Sequence, residues 1–246
     1  MDTFIPDFRV AAIIPVWKNE EIFSVLEKFD QKYVHEVIIV LDEPDDYYLT
    51  KLKEIAKGIP PSVKVIENPE RMGIGFAISK GLYYAHKSGY EAIIVMAGNG
   101  KDDPREIPRL TQELANGYDY IQGSRFLKGG KSVGLPIIRR IFNRLWPAFW
   151  TIITFRKQTE VTNGFRAYRL EILSDPKINI DQEWLKGYAL EYYIHYKIIT
   201  SKEYKFKEVP VSKIYTKRKD YTKIQPMNHW NQIIMPPILL FFRIKK

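Results

Sequence analysis

Short apolar runs of four to seven residues recur along the chain, and between them apolar positions fall at helical spacing. Residues 10–16 form a partly β-branched run with a proline near its end, which reads as a buried strand entering a turn. A helix follows, because Ile22, Val25, Leu26 and Phe29 stand at i, i+3, i+4 and i+7. Residues 36–41 and 63–66 predict a second and a third strand. After Gly73, the apolar positions Ile74, Ala77, Ile78, Leu82 and Ala85 share one helical face. Residues 93–96 predict a fourth strand, which breaks abruptly into Ala97-Gly98-Asn99-Gly100-Lys101-Asp102-Asp103-Pro104. The helix beyond it buries Ile107, Leu110 and Leu114. Strand and helix alternate four times with short connections, which predicts an α/β fold with a mostly parallel central sheet flanked by helices.

The second half is less regular. Residues 118–122 predict a fifth strand, ending in Gly123-Ser124-Arg125, and a Gly129-Gly130 loop leads to a long amphipathic helix over residues 136–155. That helix carries Arg139, Arg140 and Arg144 beside Ile141, Leu145, Trp146 and Phe149. A loop-to-strand element at residues 161–168, a helix near 190–199, a strand at 207–211 and a basic loop at 217–223 complete the pattern. The tail, residues 233–246, is apolar with a basic end. It is shorter than the roughly 20 apolar residues of a spanning helix, and prolines interrupt it. Two placements are open to it: the interface of a bilayer, with its lysines at headgroup level, or the protein's own core.

Composition narrows the function classes. At 246 residues and 45% hydrophobic, the chain can form one large α/β domain or two small ones. The absence of cysteine excludes disulfides and thiolate metal sites and suits a reducing compartment. Residues 1–7 show no signal-peptide pattern, so a cytoplasmic location is expected. The net charge of +9 is uneven: residues 1–124 carry 14 Lys/Arg against 20 Asp/Glu, and residues 125–246 carry 24 against 9. A basic second half suits anionic lipid, a phosphorylated acceptor or nucleic acid. Nucleic acid would rest on composition alone and is not expected as a partner. Gly73-x-Gly75 lacks the third glycine of a dinucleotide fingerprint, and no P-loop is present. His35, His86, His195 and His229 have no ligand spacing, and neither Ser124 nor Ser132 lies in a Gly-x-Ser-x-Gly elbow.

Loops at the carboxyl ends of parallel strands open into a crevice where ligands bind, so residues 97–103 are expected to hold the phosphates of a sugar nucleotide. The second strand likewise runs into an acidic loop, Asp42-Glu43-Pro44-Asp45-Asp46. These stretches, with Asn68 to Gly81, Gly123 to Gly130, Asn163-Gly164-Phe165-Arg166, Glu208-Val209-Pro210-Val211 and Thr222-Lys223, resemble the family-2 glycosyltransferases with the GT-A fold. Among these the chain is most similar to the polyprenyl-phosphate sugar synthases of the dolichol-phosphate mannose synthase kind. The resemblance implies one GT-A domain over residues 1–215, its nucleotide half about 1–124 and its acceptor half about 125–215, with a basic loop and apolar tail over 216–246.

It further implies a nucleotide site at Pro15, Trp17, Asn19, Glu20, Asp42, Pro44, Gly73, Ala97 and Gly98. Arg125, Arg139, Arg140, Arg218 and Lys223 are the implied ligands of the acceptor phosphate. The family's Asp-x-Asp, which holds Mg²⁺ or Mn²⁺ against the leaving diphosphate, is replaced here by Ala97-Gly98-Asn99. Three readings follow. Asn99 with Asp102 or Asp103 ligates the cation, Lys101 supplies the positive charge itself, or the domain binds without turnover. Asn99, Lys101, Asp103 and Arg125 are therefore the candidate catalytic residues.

The implied reaction is inverting transfer of a hexose from a GDP- or UDP-linked donor to a polyprenyl phosphate. Its place is the cytoplasmic face of an anionic membrane, in cell-envelope glycan synthesis. Alternatives are transfer to a sugar hydroxyl of a lipid-linked glycan or polysaccharide, for which Glu191 or Asp103 would be the base, and an inactive nucleotide- and lipid-binding module.

Overall fold

A computed structural model describes residues 5–58, 60–215 and 226–246; Arg218, Lys223 and the basic loop lie outside them. Four strands build the first half of the sheet: β1 (Val10–Trp17), β2 (Glu36–Asp42), β3 (Ser62–Asn68) and β4 (Ala92–Val95). They are parallel in the order β3-β2-β1-β4, with Ile13 opposite Ile38 on one side and Val95 on the other. Successive residues of β1 point to opposite faces, and both faces are covered. Val10, Ala12 and Ile14 pack under α1 (Glu21–Leu26), α2 (Asp46–Gly58) and α4 (Ile107–Ala115). Ala11 and Ile13 pack under α3 (Ile74–Lys87) and α6 (Ala189–Thr200). Burial on both faces is why these strands read as continuous apolar runs.

Beyond β4 the sheet departs from the alternating pattern. β5 (Tyr120–Ser124) does not pair with β4, because β7 (Arg166–Arg169) lies between them, antiparallel to both. β8 (Phe206–Pro210) then closes the edge, parallel to β5. A separate parallel pair joins β6 (Lys131–Val133) to β9 (Ser212–Ile214). The Ile214 amide donates to the Lys101 carbonyl at 3.1 Å, which fastens β9 to the loop after β4.

α5 (Ile137–Thr154) seats Trp150 against Tyr192 and Ile199 of α6. Its outward side leaves Ile137, Ile138, Ile141, Leu145 and Ile152 exposed. α7 (Pro226–Phe241) lies on α6: Leu240 is buried in the α3–α6 core, and Gln232 Oε1 accepts from the Tyr188 amide at 3.0 Å. Part of the tail thus packs on the protein itself, while Phe241, Phe242 and Ile244 remain exposed. No helix among the described residues is long and apolar enough to cross a membrane.

Candidate active site

A cleft of about 880 Å³ crosses the carboxyl ends of β1 and β4. Its first wall is the turn after β1, with Pro15, Trp17, Asn19 and Glu20, together with Asp42 at the end of β2. Asn19 Oδ1 accepts from the Glu21 amide at 3.1 Å, which fixes the turn leading into α1, and the residue also lines the cleft. Trp17 is held edge and face: its indole N–H donates to Glu43 at 3.0 Å, and the Arg71 guanidinium stacks 3.8 Å above the ring. Asp42 is buried and accepts from Asn68 Nδ2 at 2.7 Å, and Lys80 in turn donates to Asn68. One carboxylate at a strand end with a fixed orientation can accept from two hydroxyls of a ribose or from ring N–H groups of a base. Gly73 closes this wall with φ of 98°, and a Cβ there would stand 2.7 Å from the Lys186 carbonyl oxygen. A side chain fits neither the dihedral nor the space. Pro44 lies outside the cleft lining, because the acidic loop turns away after Asp42 into α2.

The loop after β4 is built in the opposite sense. Ala97, Gly98, Asn99 and Lys101 face the cleft, and both neighbouring carboxylates are turned from it. Asp102 is 2% exposed; its Oδ2 accepts from the Ala97 amide at 3.1 Å and its Oδ1 from Lys213 Nζ at 2.7 Å. Asp103 sits on the outer side, where it caps the helical turn Pro104–Glu106 and forms a bidentate pair with Arg105 at 2.6 to 3.1 Å. The sequence pattern placed Asp103 as a catalytic group and both as cation ligands, but neither carboxylate lines the cleft, because each is turned to a protein partner. Among the described residues no group of three or more His, Cys, Asp or Glu could hold a metal ion. Of the loop's own side-chain oxygens only Asn99 Oδ1 lines the cleft, and it accepts from the Lys101 amide at 3.3 Å. Glu21 is the one carboxylate beside the loop among the described residues, whereas hard cations favour several carboxylate oxygens. The residues present do not fit a divalent cation.

Cations take that place. Lys101, Lys213 and Arg139 line the same end of the cleft. Burial, then the charge of Lys213, pulls the Lys101 ammonium down to about 8 from its ordinary 10.5. Lys213 also donates to Asn163 Oδ1 at 2.7 Å. Arg125, expected at an acceptor phosphate, lines the cleft with its guanidinium committed elsewhere. It donates to Glu160 at 2.7 Å, to Thr162 at 2.6 Å and to the Tyr215 hydroxyl. Burial opposes its charge, but the adjacent Glu160 carboxylate outweighs that and holds the guanidinium above its ordinary range. Arg125 is a positioning residue for Tyr215 and for the segment carrying Thr162. Arg140 lies on a different side of α5 from Arg139, off the cleft.

Several lining residues were not among the sequence candidates: Arg71, Thr162, Lys213 and Tyr215. Lys213 did carry a signal, since it follows Val209 and Val211 at a spacing of two and shares their inward face.

A mostly parallel sheet, helices on both faces and a cleft across the ends of β1 and β4 define the class of α/β domain whose ligand lies at the strand ends. Within it, the chain belongs to glycosyl transferase family 2, whose sequence model matches residues 19–175. It is 28% identical over 177 residues to a dolichol-phosphate mannosyltransferase of Pyrococcus furiosus, covering 70% of this chain but 49% of that one. It is 29% identical over 189 residues to an undecaprenyl-phosphate mannosyltransferase of Micrococcus luteus, covering 74% of each chain. The chain thus spans about half the length of the first relative and three quarters of the second. In fold it is similar to the mannosyltransferase PcManGT of Pyrobaculum calidifontis, solved with GDP-Man and Mn²⁺. That likeness has a TM-score of 0.53 and 16% identity over 88% of this chain and 59% of that one. The fold is of the GT-A type.

Proposed function

We propose that the chain is a glycosyltransferase that moves a hexose from a GDP- or UDP-linked sugar to a polyprenyl phosphate, with inversion, at the cytoplasmic face of a membrane. The observation that carries this reading is the setting of Arg139. It lines the cleft close enough to Lys101 to act on its charge, and its neighbours on α5, Ile138 and Phe142, line the same cleft with Trp230 and Ile233 as an apolar surface. Phe142 and Trp230 meet there at 5.5 Å between ring centroids. A phosphate on a prenyl chain needs a forked cation and an adjoining apolar surface at once, and a soluble sugar acceptor needs no such surface. The two mannosyltransferase relatives, which bear the names of polyprenyl phosphates, support the same acceptor class.

The chemistry asks little of a base. An ionised phosphate oxygen of the acceptor attacks the anomeric carbon while the bond to the donor's diphosphate oxygen breaks. The electron pair leaves with that oxygen and no proton is transferred. Attack opposite the leaving group inverts the centre. The protein's part is to hold the two anions in line and to stabilise the leaving diphosphate. Peripheral attachment is supported by α5, whose exposed Ile137, Ile141 and Leu145 lie beside Arg140 and Arg144, an arrangement suited to an anionic interface.

Purified protein with GDP- and UDP-linked hexoses and a short polyprenyl phosphate should release nucleoside diphosphate only when the acceptor is present. Nucleotide binding with no release for any acceptor would leave the binding-module reading instead. One observation favours a second acceptor class: Glu191 lines the cleft, its Oε1 has no hydrogen-bond partner, and Arg166 Nε stands 3.7 Å away. Gly164 leaves room for that carboxylate, since a Cβ there would stand 3.0 Å from Oε1. A sugar hydroxyl acceptor would use Glu191 as base, so Glu191→Gln would then lower kcat by about a hundredfold or more. With a phosphate acceptor, kcat should change little.

A further inference from the structure

The loop after β4 has lost its Asp-x-Asp, and the groups that replace it form a defined set. Lys101 and Lys213 line the cleft beside this loop, and Lys213 is anchored on the buried Asp102. The set is built in place: Lys213 comes from β9, which the Ile214–Lys101 backbone bond holds against the loop. Asp102 and Asn163 then take two of the three ammonium donors of Lys213 and fix its direction. The side chain still lines the cleft, so the remaining donor is available to an anion there. Lys101 is brought to the same end of the cleft by the loop that the Asp102–Ala97 bond closes. Clustered cations in a desolvated cleft repel one another, and an anion relieves that repulsion more effectively there than in bulk water.

We propose that Lys101 and Lys213 hold the donor's diphosphate in place of a divalent cation, so that nucleotide binding by this chain is independent of metal. The inference rests on the nucleotide-diphosphate donor reading above. In transfer the same ammonium groups meet the negative charge that gathers on the departing diphosphate oxygen. No proton leaves them, and the electron balance of the step is unchanged.

Calorimetric titration of the full chain with GDP and UDP, in EDTA and in excess Mn²⁺, tests this. At least one nucleotide should bind in EDTA within about threefold of its affinity in Mn²⁺. Lys101→Met should weaken that binding about tenfold or more, as loss of a charge-assisted contact does. Lys213→Met leaves Asp102 buried without its partner and can fail to fold, so the double variant Asp102→Asn with Lys213→Met is the control, checked by its melting temperature. It should fold and bind nucleotide about tenfold more weakly than the parent chain. Binding that appears only with Mn²⁺ would overturn the proposal and leave the donor reading standing. No binding of either nucleotide under both conditions would overturn the two together. Undiminished affinity in Lys101→Met would remove the lysine from the diphosphate contact and overturn the proposal alone.

Discussion

Both ends of the cleft carry acidic residues, and they orient them in opposite directions. At the nucleoside end, Asp42 points into the cleft on a strand terminus, steadied by Asn68. At the end formed by the loop after β4, Asp102 and Asp103 are turned beneath and outside the loop, and Lys101 and Lys213 line the cleft. Charge content is therefore a poor guide to charge at a site; the direction in which each side chain is anchored decides it. The acidic first half of the chain contributes a cationic loop, and the basic second half supplies the lysine that completes it.

This contrast can be broken at several points. The largest effect is expected from Lys213→Met, which strands the Asp102 carboxylate in a buried position. Stability in denaturant titration should fall by about 3–5 kcal/mol. A small change would mean that Asp102 is solvated and not tied beneath the loop. Next is Asp42→Asn, which keeps an oxygen for Asn68 and so should leave stability nearly unchanged. Nucleotide affinity should drop by about 1.5–3 kcal/mol, the cost of a lost charge-assisted contact. Equal losses of stability and affinity would erase the distinction between the two ends.

A pH effect comes third, from the core beneath both. His195 is buried between Tyr120, Gln158, Trp150, Phe206 and Arg166, and burial, then Arg166, holds its imidazole neutral well below its ordinary 6.5. The unfolded chain takes up a proton as pH falls through 6.5 while the folded chain does not, so folding weakens in that direction. Between pH 7.5 and 5.5 the loss should approach about 1.4 kcal/mol, and His195→Gln should flatten it. The smallest effect belongs to Asp103→Asn. The pair with Arg105 is partly exposed and worth at most about 1 kcal/mol, and asparagine still caps the turn. Nucleotide affinity should be unchanged; a loss would return Asp103 to the site.

Much of the scaffold was legible in the sequence because strands covered on both faces leave an unbroken apolar record. β1, β2 and β4 read directly from it, and so did the placement of the cleft at their ends. Helix α2 was not read from the sequence, although Leu49, Leu52 and Ile55 recur at helical spacing and pack on the core, because only Leu52 is fully buried and the acidic run before it reads as a loop. Nor was the antiparallel entry of β7, because four residues with two arginines carry no directional signal. Within the site, the residue types were visible and their orientations were not. Asp102 and Asp103 are adjacent in the chain yet end on opposite sides of the loop. The partner that captures Asp102 lies 111 positions away, beyond any local pattern.

The insertion of β7 between β4 and β5 also orders events during synthesis. When residue 124 leaves the ribosome, β4 and β5 are both made, but the strand that joins them is not. β4 then presents an open edge, and Asp102 has no counter-charge until residue 213 follows. The acidic half therefore cannot finish its ligand loop ahead of the basic half, and a chain stopped between the two would expose an apolar strand edge prone to pair with another copy.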